Sequence, residues 1–344
     1  MAPQLPTRKL GKNGPEVTAL GFGAMGLSAF YGATKPDEER YALLDHVYES
    51  GERFWDSADI YGDNEDLLGR WFKRNPGKRE TIFLATKFAN YVNPATGLRE
   101  VHNEPEYVRQ ACDRSLQRLG VDYIDLYYAH RLDAKQPVEI TVKAMKELKD
   151  AGKVKYLGMS ECSAESLRRA CKIVHIDAVQ MEYSPFSLEI EDPQYNLLQT
   201  ARELGVAVVA YSPLGRGFLT GSIKSRNDLE EGDFRRLAPR FNEENFPKNL
   251  KLVEDIKALA DDKGCTPAQL ILAFLMAQGD DIIPIPGTTK IKNFDENMGA
   301  LKVKITPEDN EKIRKAITAA EVHGERYPES FSKSLFVTTV PLKE

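Results

Sequence analysis

Residues 54–62 read FWDSADIYG. A short apolar run ends in an acid, Asp56, and a tyrosine follows five residues later, just before a glycine. Taken from Arg53 to Ser57, the run has the length and composition of a buried strand. Runs of the same kind recur at Val17–Gly23, Thr81–Lys87, Tyr123–His130, Val154–Ser160, Ala178–Glu182, Val206–Ser212 and Ile282–Pro286. Amphipathic helical patterns lie between them, among them Glu38–Ser50, Pro105–Leu119, Pro137–Ala151, Ala164–Val174 and Tyr195–Leu204. Gly51, Gly120, Gly152 and Gly205 stand just past helix ends, where a left-handed residue closes the last turn. Eight strands alternating with helices predict an α/β fold with a parallel sheet, and that number favours closure into a (β/α)8 TIM barrel. An open doubly wound sheet is the alternative. It would want a GxGxxG after its first strand, and Gly21–Gly26 lacks that spacing.

Lys12-Asn13-Gly14 is a hairpin-turn signal, which predicts a small β-hairpin ahead of the first barrel strand. No Gly/Ser linker divides the chain, so residues 1–344 read as a single barrel domain. Two segments depart from the repeat. Residues 216–247 are long and charged and are expected as an extended loop on the C-terminal face of the barrel. The tail from Val322 to Glu344 is irregular. Composition narrows the function. The net charge of −5 is modest, and no basic stripe with interleaved aromatics points to nucleic acid. No apolar run approaches the ~20 residues of a membrane helix, and the N-terminus has no secretory h-region. Four cysteines without CxxC spacing and five scattered histidines argue against a zinc site or a disulfide framework. The expected compartment is reducing and cytoplasmic.

In a barrel the C-terminal strand ends share one face, where chemistry sits. Those ends carry Met25, Asp56, Lys87, His130, Ser160–Glu161, Gln180, Tyr211–Ser212 and Gly287–Thr288. Each of the charged residues alone has an ordinary explanation: Asp56 as a turn cap, Lys87 as a lysine leaving for water, His130 as a satisfied core histidine. Together, on three successive strands, they are better explained as a site.

The stretches FWDSADIYG, LATKF, DLYYAHR, GMSE, QMEYS, AYSPLGRGFLTG and IPGTTKIKNFDEN, in that order, make the chain resemble an aldo-keto reductase over almost its whole length. Within that superfamily it is most similar to the plant and fungal branch that includes perakine reductase and the auxin-induced-type reductases. The resemblance implies metal-free hydride transfer between NADPH and a carbonyl carbon. It also implies a tetrad of Asp56, Tyr61, Lys87 and His130. Tyr61 is then the general acid, its phenol pKa lowered by the Lys87 ammonium. Asp56 keeps Lys87 charged, and His130 orients the carbonyl. Asp59 reads as structural or solvent-facing. For the cofactor, the resemblance implies Ser160, Glu161 and Gln180 at the nicotinamide carboxamide and Tyr211 against its ring. It puts Ser212, Leu214 and Arg216 over the pyrophosphate, Gly287, Thr288 and Lys290 at the adenosine phosphate, and Glu296 and Asn297 at the adenine. Residues 216–247 are expected to order when cofactor binds.

Two positions depart from the family pattern. Glu161 stands where many members have Asn, and Asn293 where an arginine is common, which leaves Lys290 or Lys292 for the phosphate. Met25, Phe30, Tyr31, Phe88, Tyr91 and Arg131, just past strand ends, are the candidate substrate pocket, and aromatic walls suit aromatic or hydrophobic aldehydes and ketones. Three alternatives remain. One is a cofactor-holding regulatory partner of the potassium-channel β type. Another is an enzyme working mainly as an NADP-dependent alcohol dehydrogenase. The third is an unrelated barrel enzyme such as a metal-dependent hydrolase or phosphate-sugar isomerase. The first would tolerate a lost tetrad member, and the third would want clustered metal ligands or a glycine-rich phosphate loop. Oligomeric state and physiological substrate are not legible.

Overall fold

The computed structural model describes residues 3–343. Strands β1 (Thr7–Lys9) and β2 (Glu16–Thr18) pair antiparallel as the expected hairpin. The chain then alternates through β3 (Phe22–Gly23), α1 (Asp37–Glu49), β4 (Phe54–Asp56), α2 (Asn64–Arg74) and β5 (Phe83–Phe88). A second hairpin follows, β6 (Asn90–Val92) and β7 (Arg99–Val101), then α3 (Pro105–Leu119), β8 (Ile124–Ala129) and α4 (Val138–Asp150). Next come β9 (Val154–Ser160), α5 (Ala164–Ile173), β10 (Ala178–Glu182), α6 (Leu197–Leu204) and β11 (Ala207–Tyr211). Helices α7 (Asn245–Lys263) and α8 (Pro267–Met276) precede β12 (Ile282–Pro284), and α9 (Ile291–Met298), α10 (Pro307–Ala320) and α11 (Glu329–Ser332) end the series.

Strands β3, β4, β5, β8, β9, β10, β11 and β12 pair in parallel in that order. A parallel bridge between Gly23 and Gly287 and the bond from the Gly23 N–H to the Pro286 carbonyl (3.1 Å) join the first strand to the last. The molecule is therefore a (β/α)8 barrel. Its side chains obey the period of two that a strand imposes. Phe54, Leu126, Val209 and Ile283 fill the interior, whereas Trp55, Tyr127 and Met159 face the helices. Leu10 and Val17 of the hairpin join the interior cluster, so the hairpin closes one end of it. Gly158 has a packing reason: a Cβ there would lie 2.3 Å from the Tyr128 ring, which crosses the barrel at that level.

One expectation needs correction. Residues 216–247 are no free-standing loop. They fold into a series of short 3-10 turns in which Phe218 and Phe241 are buried, as is Leu229 just past one of them, and Phe246 on α7 packs edge to face on Phe218. Apolar residues at such irregular spacings carry no local period, so the sequence did not show this packing. The tail is irregular but anchored across the C-terminal end of the barrel. Val337 accepts from the Ser163 N–H (3.0 Å) and donates to the Glu161 carbonyl (2.9 Å), and Arg326, Val337 and Thr339 are buried.

Candidate active site

Alternation along β4 turns Phe54 and Asp56 inward, and along β5 it turns Ala85 and Lys87 inward. The Lys87 ammonium therefore meets the Asp56 carboxylate at the top of the barrel, where the two are hydrogen-bonded. Lys87 Nζ also donates to the Ser57 carbonyl at 2.7 Å and lies 3.4 Å from the Tyr61 hydroxyl. Gln180 Nε2 holds the other Asp56 oxygen at 2.9 Å. Tyr61 reaches this point because the chain turns sharply after β4. Its N–H bonds to Ala58 (3.1 Å), and Gly62 follows at φ +57°, where a Cβ would press on the Ser28 carbonyl at 2.9 Å. His130, just past β8, meets Tyr61 edge to face with ring centres 5.8 Å apart. All four side chains are buried.

Burial dominates the electrostatics. It pushes the Asp56 carboxyl up, against Lys87 and Gln180. It also works against the Lys87 ammonium, but Asp56 and then Tyr61 outweigh it and hold Lys87 above its ordinary value. We take the pair as charged, since each partner also has a polar contact outside the pair. The Tyr61 phenol is raised by burial, with Lys87 only partly offsetting the rise. This corrects the sequence expectation of a lowered phenol: desolvation exceeds the pull of the ammonium. His130 is pushed well below its ordinary value by burial and then by Arg131 and Lys87, so its imidazole is neutral.

Tyr61 and His130 stand in the wall of a cleft of about 650 Å³ that runs on to the loop after β12 and the first turns of α9. It is lined by Ser160, Gln180, Tyr211, Ser212, Leu214 and Arg216, and further along by Gly287, Thr288, Lys290, Asn293, Glu296 and Asn297. The structure thus sets a strand-end carboxylate–lysine pair beside a tyrosine at one end of a long cleft.

The sequence profile of the "Aldo/keto reductase family" matches residues 19–318. The chain belongs to the aldo/keto reductase family. It is 51% identical over 340 residues to aldo-keto reductase yakc [NADP(+)] of Schizosaccharomyces pombe, covering 98% of this chain and 99% of that protein. It is 52% identical over 327 residues to aldo-keto reductase str7 of Strobilurus tenacellus, covering 94% and 95%. Among solved structures, the glycerol dehydrogenase of Gluconobacter oxydans superposes with a TM-score of 0.81 over 93% of this chain and 97% of that one, at 23% identity. An aldo-keto reductase of Bacillus halodurans in its holo form gives 0.74 over 94% and 98%, at 26% identity.

Several residues of this reductase sit elsewhere than the sequence suggested. Glu161 does not line the cleft. Its carboxylate is fully buried behind Tyr211, accepting from the Tyr211 hydroxyl at 2.7 Å and from both Arg326 nitrogens at 3.1 and 3.2 Å. Burial pushes Glu161 up, but Arg326 foremost and then Arg131 reverse this and hold it below the usual carboxylate range. Phe88 follows the inward Lys87 and so faces outward, stacked on Tyr127 at 5.0 Å in the helix layer. Tyr91, on β6, packs against His102 and Tyr107 away from the cleft. Met25, Phe30, Tyr31 and Arg131 do line it. Asp59 is not solvent-facing: it is half-buried, and burial followed by the nearby Glu65 raises its carboxyl to about 8.

Arg216 lines the cleft, but one of its nitrogens is held by Glu182 at 3.2 Å, and its guanidinium lies 4.4 Å over the Tyr327 ring. Lys290 is exposed on the cleft wall, whereas Lys292 is not part of the lining. Among the lining residues that escaped the sequence reading are Arg99 from the β6–β7 hairpin, Phe234 and Arg235 from the segment before α7, and Tyr327 from the tail. The only sequence signal available was the turn-rich NPATG at residues 93–97, which marks the hairpin carrying Arg99.

Proposed function

We propose that the protein reduces aldehydes and ketones with NADPH, using Tyr61 as the general acid. The observation that carries this reading is the Tyr61 hydroxyl 3.4 Å from the Lys87 ammonium in the wall of the cleft. The residues fit a nicotinamide dinucleotide. Cleft-lining His130 and Arg216 each keep a buried nitrogen without a partner, at Nδ1 and Nη1. Thr288 and Lys290, together with the start of α9, suit a phosphate, since hydroxyl, ammonium and helix N–H groups all favour an anion. Ser160, Gln180 and Tyr211 would hold the nicotinamide end, and Glu296 and Asn297 the adenine. When bound, the cofactor supplies the hydride that reduces the carbonyl carbon.

The chain supplies the proton and the charge control. As negative charge grows on the carbonyl oxygen, the Tyr61 hydroxyl donates to it. Because burial raises this phenol, Tyr61 stays protonated at neutral pH and is a competent donor. Once the proton has left, the adjacent ammonium stabilises the phenolate, and Asp56 keeps that ammonium charged and in place. Neutral His130 offers a ring nitrogen to the carbonyl without competing charge. Phe30, Tyr31, Phe234 and Tyr327 give the cleft aromatic walls, which favour aromatic or hydrophobic carbonyl compounds. The test is Tyr61→Phe, followed by nicotinamide absorbance with aromatic aldehydes. Turnover should fall by ~10²–10⁴-fold while NADPH still binds. Near-normal turnover would overturn the assignment.

A further inference from the structure

Five cationic side chains line the cleft: Arg99, Arg131, Arg216, Arg235 and Lys290. Arg216 already pairs with Glu182 at 3.2 Å, and Arg235 with Asp233 at 2.5 Å. Lys290 begins α9, on the side proposed for the cofactor phosphate. Arg99 and Arg131 remain, and among the described residues neither has a carboxylate oxygen within 4.0 Å. The lining offers only two acids. Asp56 is committed to Lys87 and Gln180, and Glu296 stands on α9. Glu161, behind Tyr211, is already satisfied by Arg326 and the Tyr211 hydroxyl.

Both arginines border the reacting end. Arg131 is 6% exposed, and its Nη1 is tied to the His130 carbonyl at 2.7 Å and to Ser160 Oγ at 3.3 Å. That leaves its Nε and Nη2 donors for another partner. Arg99 comes from β7, with Nε bonded to Asn90 at 3.2 Å and its guanidinium 5.2 Å over the Phe331 ring. The Arg99 charge is disfavoured by burial and then by Arg131, a like charge close enough to matter. A buried guanidinium without a counter-ion, as at Arg131, is costly, and the more exposed Arg99 adds a like charge to the same cavity. An oxyanion entering between them relieves both. A carboxylate suits guanidinium forks by shape as well as charge.

We propose that Arg99 and Arg131 form a carboxylate-binding subsite beside Tyr61, so that the preferred substrates are aldehydes or ketones that also carry a carboxylate. The proposal rests on the carbonyl-reductase reading and names its substrate class. The aromatic residues Phe30, Phe234 and Tyr327 suit an apolar body between the two polar ends of such a molecule.

The test compares para-carboxybenzaldehyde with para-methylbenzaldehyde, followed by nicotinamide absorbance, in the wild-type protein and in Arg131→Met, Arg131→Lys and Arg99→Gln. The wild type should favour the carboxylate compound. The ratio of the two kcat/KM values should fall by about 10- to 150-fold in Arg131→Met, the span of one charge-assisted hydrogen bond. It should recover partly in Arg131→Lys, which keeps the charge, and fall less steeply in Arg99→Gln, which sits at an exposed hairpin and spares the core. A wild-type ratio near one overturns the proposal. So does a ratio unchanged in both Arg131→Met and Arg99→Gln, and so does a loss in Arg131→Met that tracks weakened NADPH binding alone. Failure of the wild type to reduce either aldehyde, or a broader panel of carbonyl compounds, would instead overturn the carbonyl-reductase reading.

Discussion

Tyr61 is held between two opposed influences. Burial favours the neutral phenol, and the Lys87 ammonium favours the phenolate, with burial the larger in the free protein. The sign matters for the pH profile. A donor whose pKa lies above the ordinary phenol value stays protonated throughout the neutral range. Reduction should therefore show no loss from phenol ionisation until above pH ~10. A base-limb inflection near neutrality in kcat/KM, absent from Tyr61→Phe, would contradict this. At the other end of the cleft, Lys290 has no carboxylate within 4.0 Å among the described residues and lines the cleft, whereas Lys292 does not. If it meets the cofactor's adenosine phosphate, Lys290→Met should weaken NADPH by about 10- to 150-fold, one charge-assisted contact, and leave NADH nearly unchanged. Titration of both cofactors against Lys290→Met and Lys292→Met checks this, and an unchanged NADPH-to-NADH ratio in Lys290→Met would remove Lys290 from the phosphate site.

Among the elements, the tail is the part whose role only the structure reveals. Arg326 is buried and grips the Glu161 carboxylate with two nitrogens, with Glu182 at 3.4 Å. Through Glu161 the tail fixes the Tyr211 hydroxyl, and Tyr327 touches the same hydroxyl at 3.1 Å. Removing one partner of such a pair strands a buried charge, at a cost of ~3–5 kcal/mol. Arg326→Met should therefore lower stability to urea by about that amount, and Arg326→Met with Glu161→Gln should regain part of it. Equal stability of Arg326→Met and the wild type would mean that the tail merely lies on the surface. The contrast with the strands explains what sequence could show. Asp56 and Lys87 were readable because a period of two and a short run put them at inward strand ends. The same rule turns Phe88, which adjoins the inward Lys87, outward to the helix layer, so an aromatic side chain just past a strand end is not by itself a pocket residue. Glu161, one residue past Ser160, follows the family position only in sequence: its carboxylate is committed to Arg326 and the Tyr211 hydroxyl. Arg326 and Tyr327 owe their positions to partners 144 and 165 residues away for Arg326 and 116 away for Tyr327, and no local pattern records such contacts.

For the molecule as a whole, the hairpin and barrel are joined through a buried acid whose titration bears on global stability. Glu52, just before β4, is fully buried; its Oε1 accepts from Thr18 Oγ1 at 2.8 Å, at the end of β2, and from the Phe54 N–H at 2.5 Å. Burial raises its carboxyl to about 8, and the hydrogen bonds from Thr18 and Phe54 only partly oppose this. In the unfolded chain the group titrates near its ordinary value of 4.5. Between these two values the folded state holds a proton that the unfolded state has lost. Stability from this group is then complete below about pH 4.5 and drains away as pH rises towards 8. The slope is about 1.4 kcal/mol per pH unit, or roughly 2 °C of melting temperature per unit for a chain of this length. Glu52→Gln keeps an oxygen for Thr18 and the Phe54 N–H but cannot ionise. The mutant has its own cost, two amide hydrogens in a dry site, and that cost does not change with pH. The difference in melting temperature between mutant and wild type should therefore shift in the mutant's favour from pH 5 to pH 8. Parallel melting curves across that range would show that Glu52 is ionised in the folded protein and that the hairpin junction carries a compensated charge.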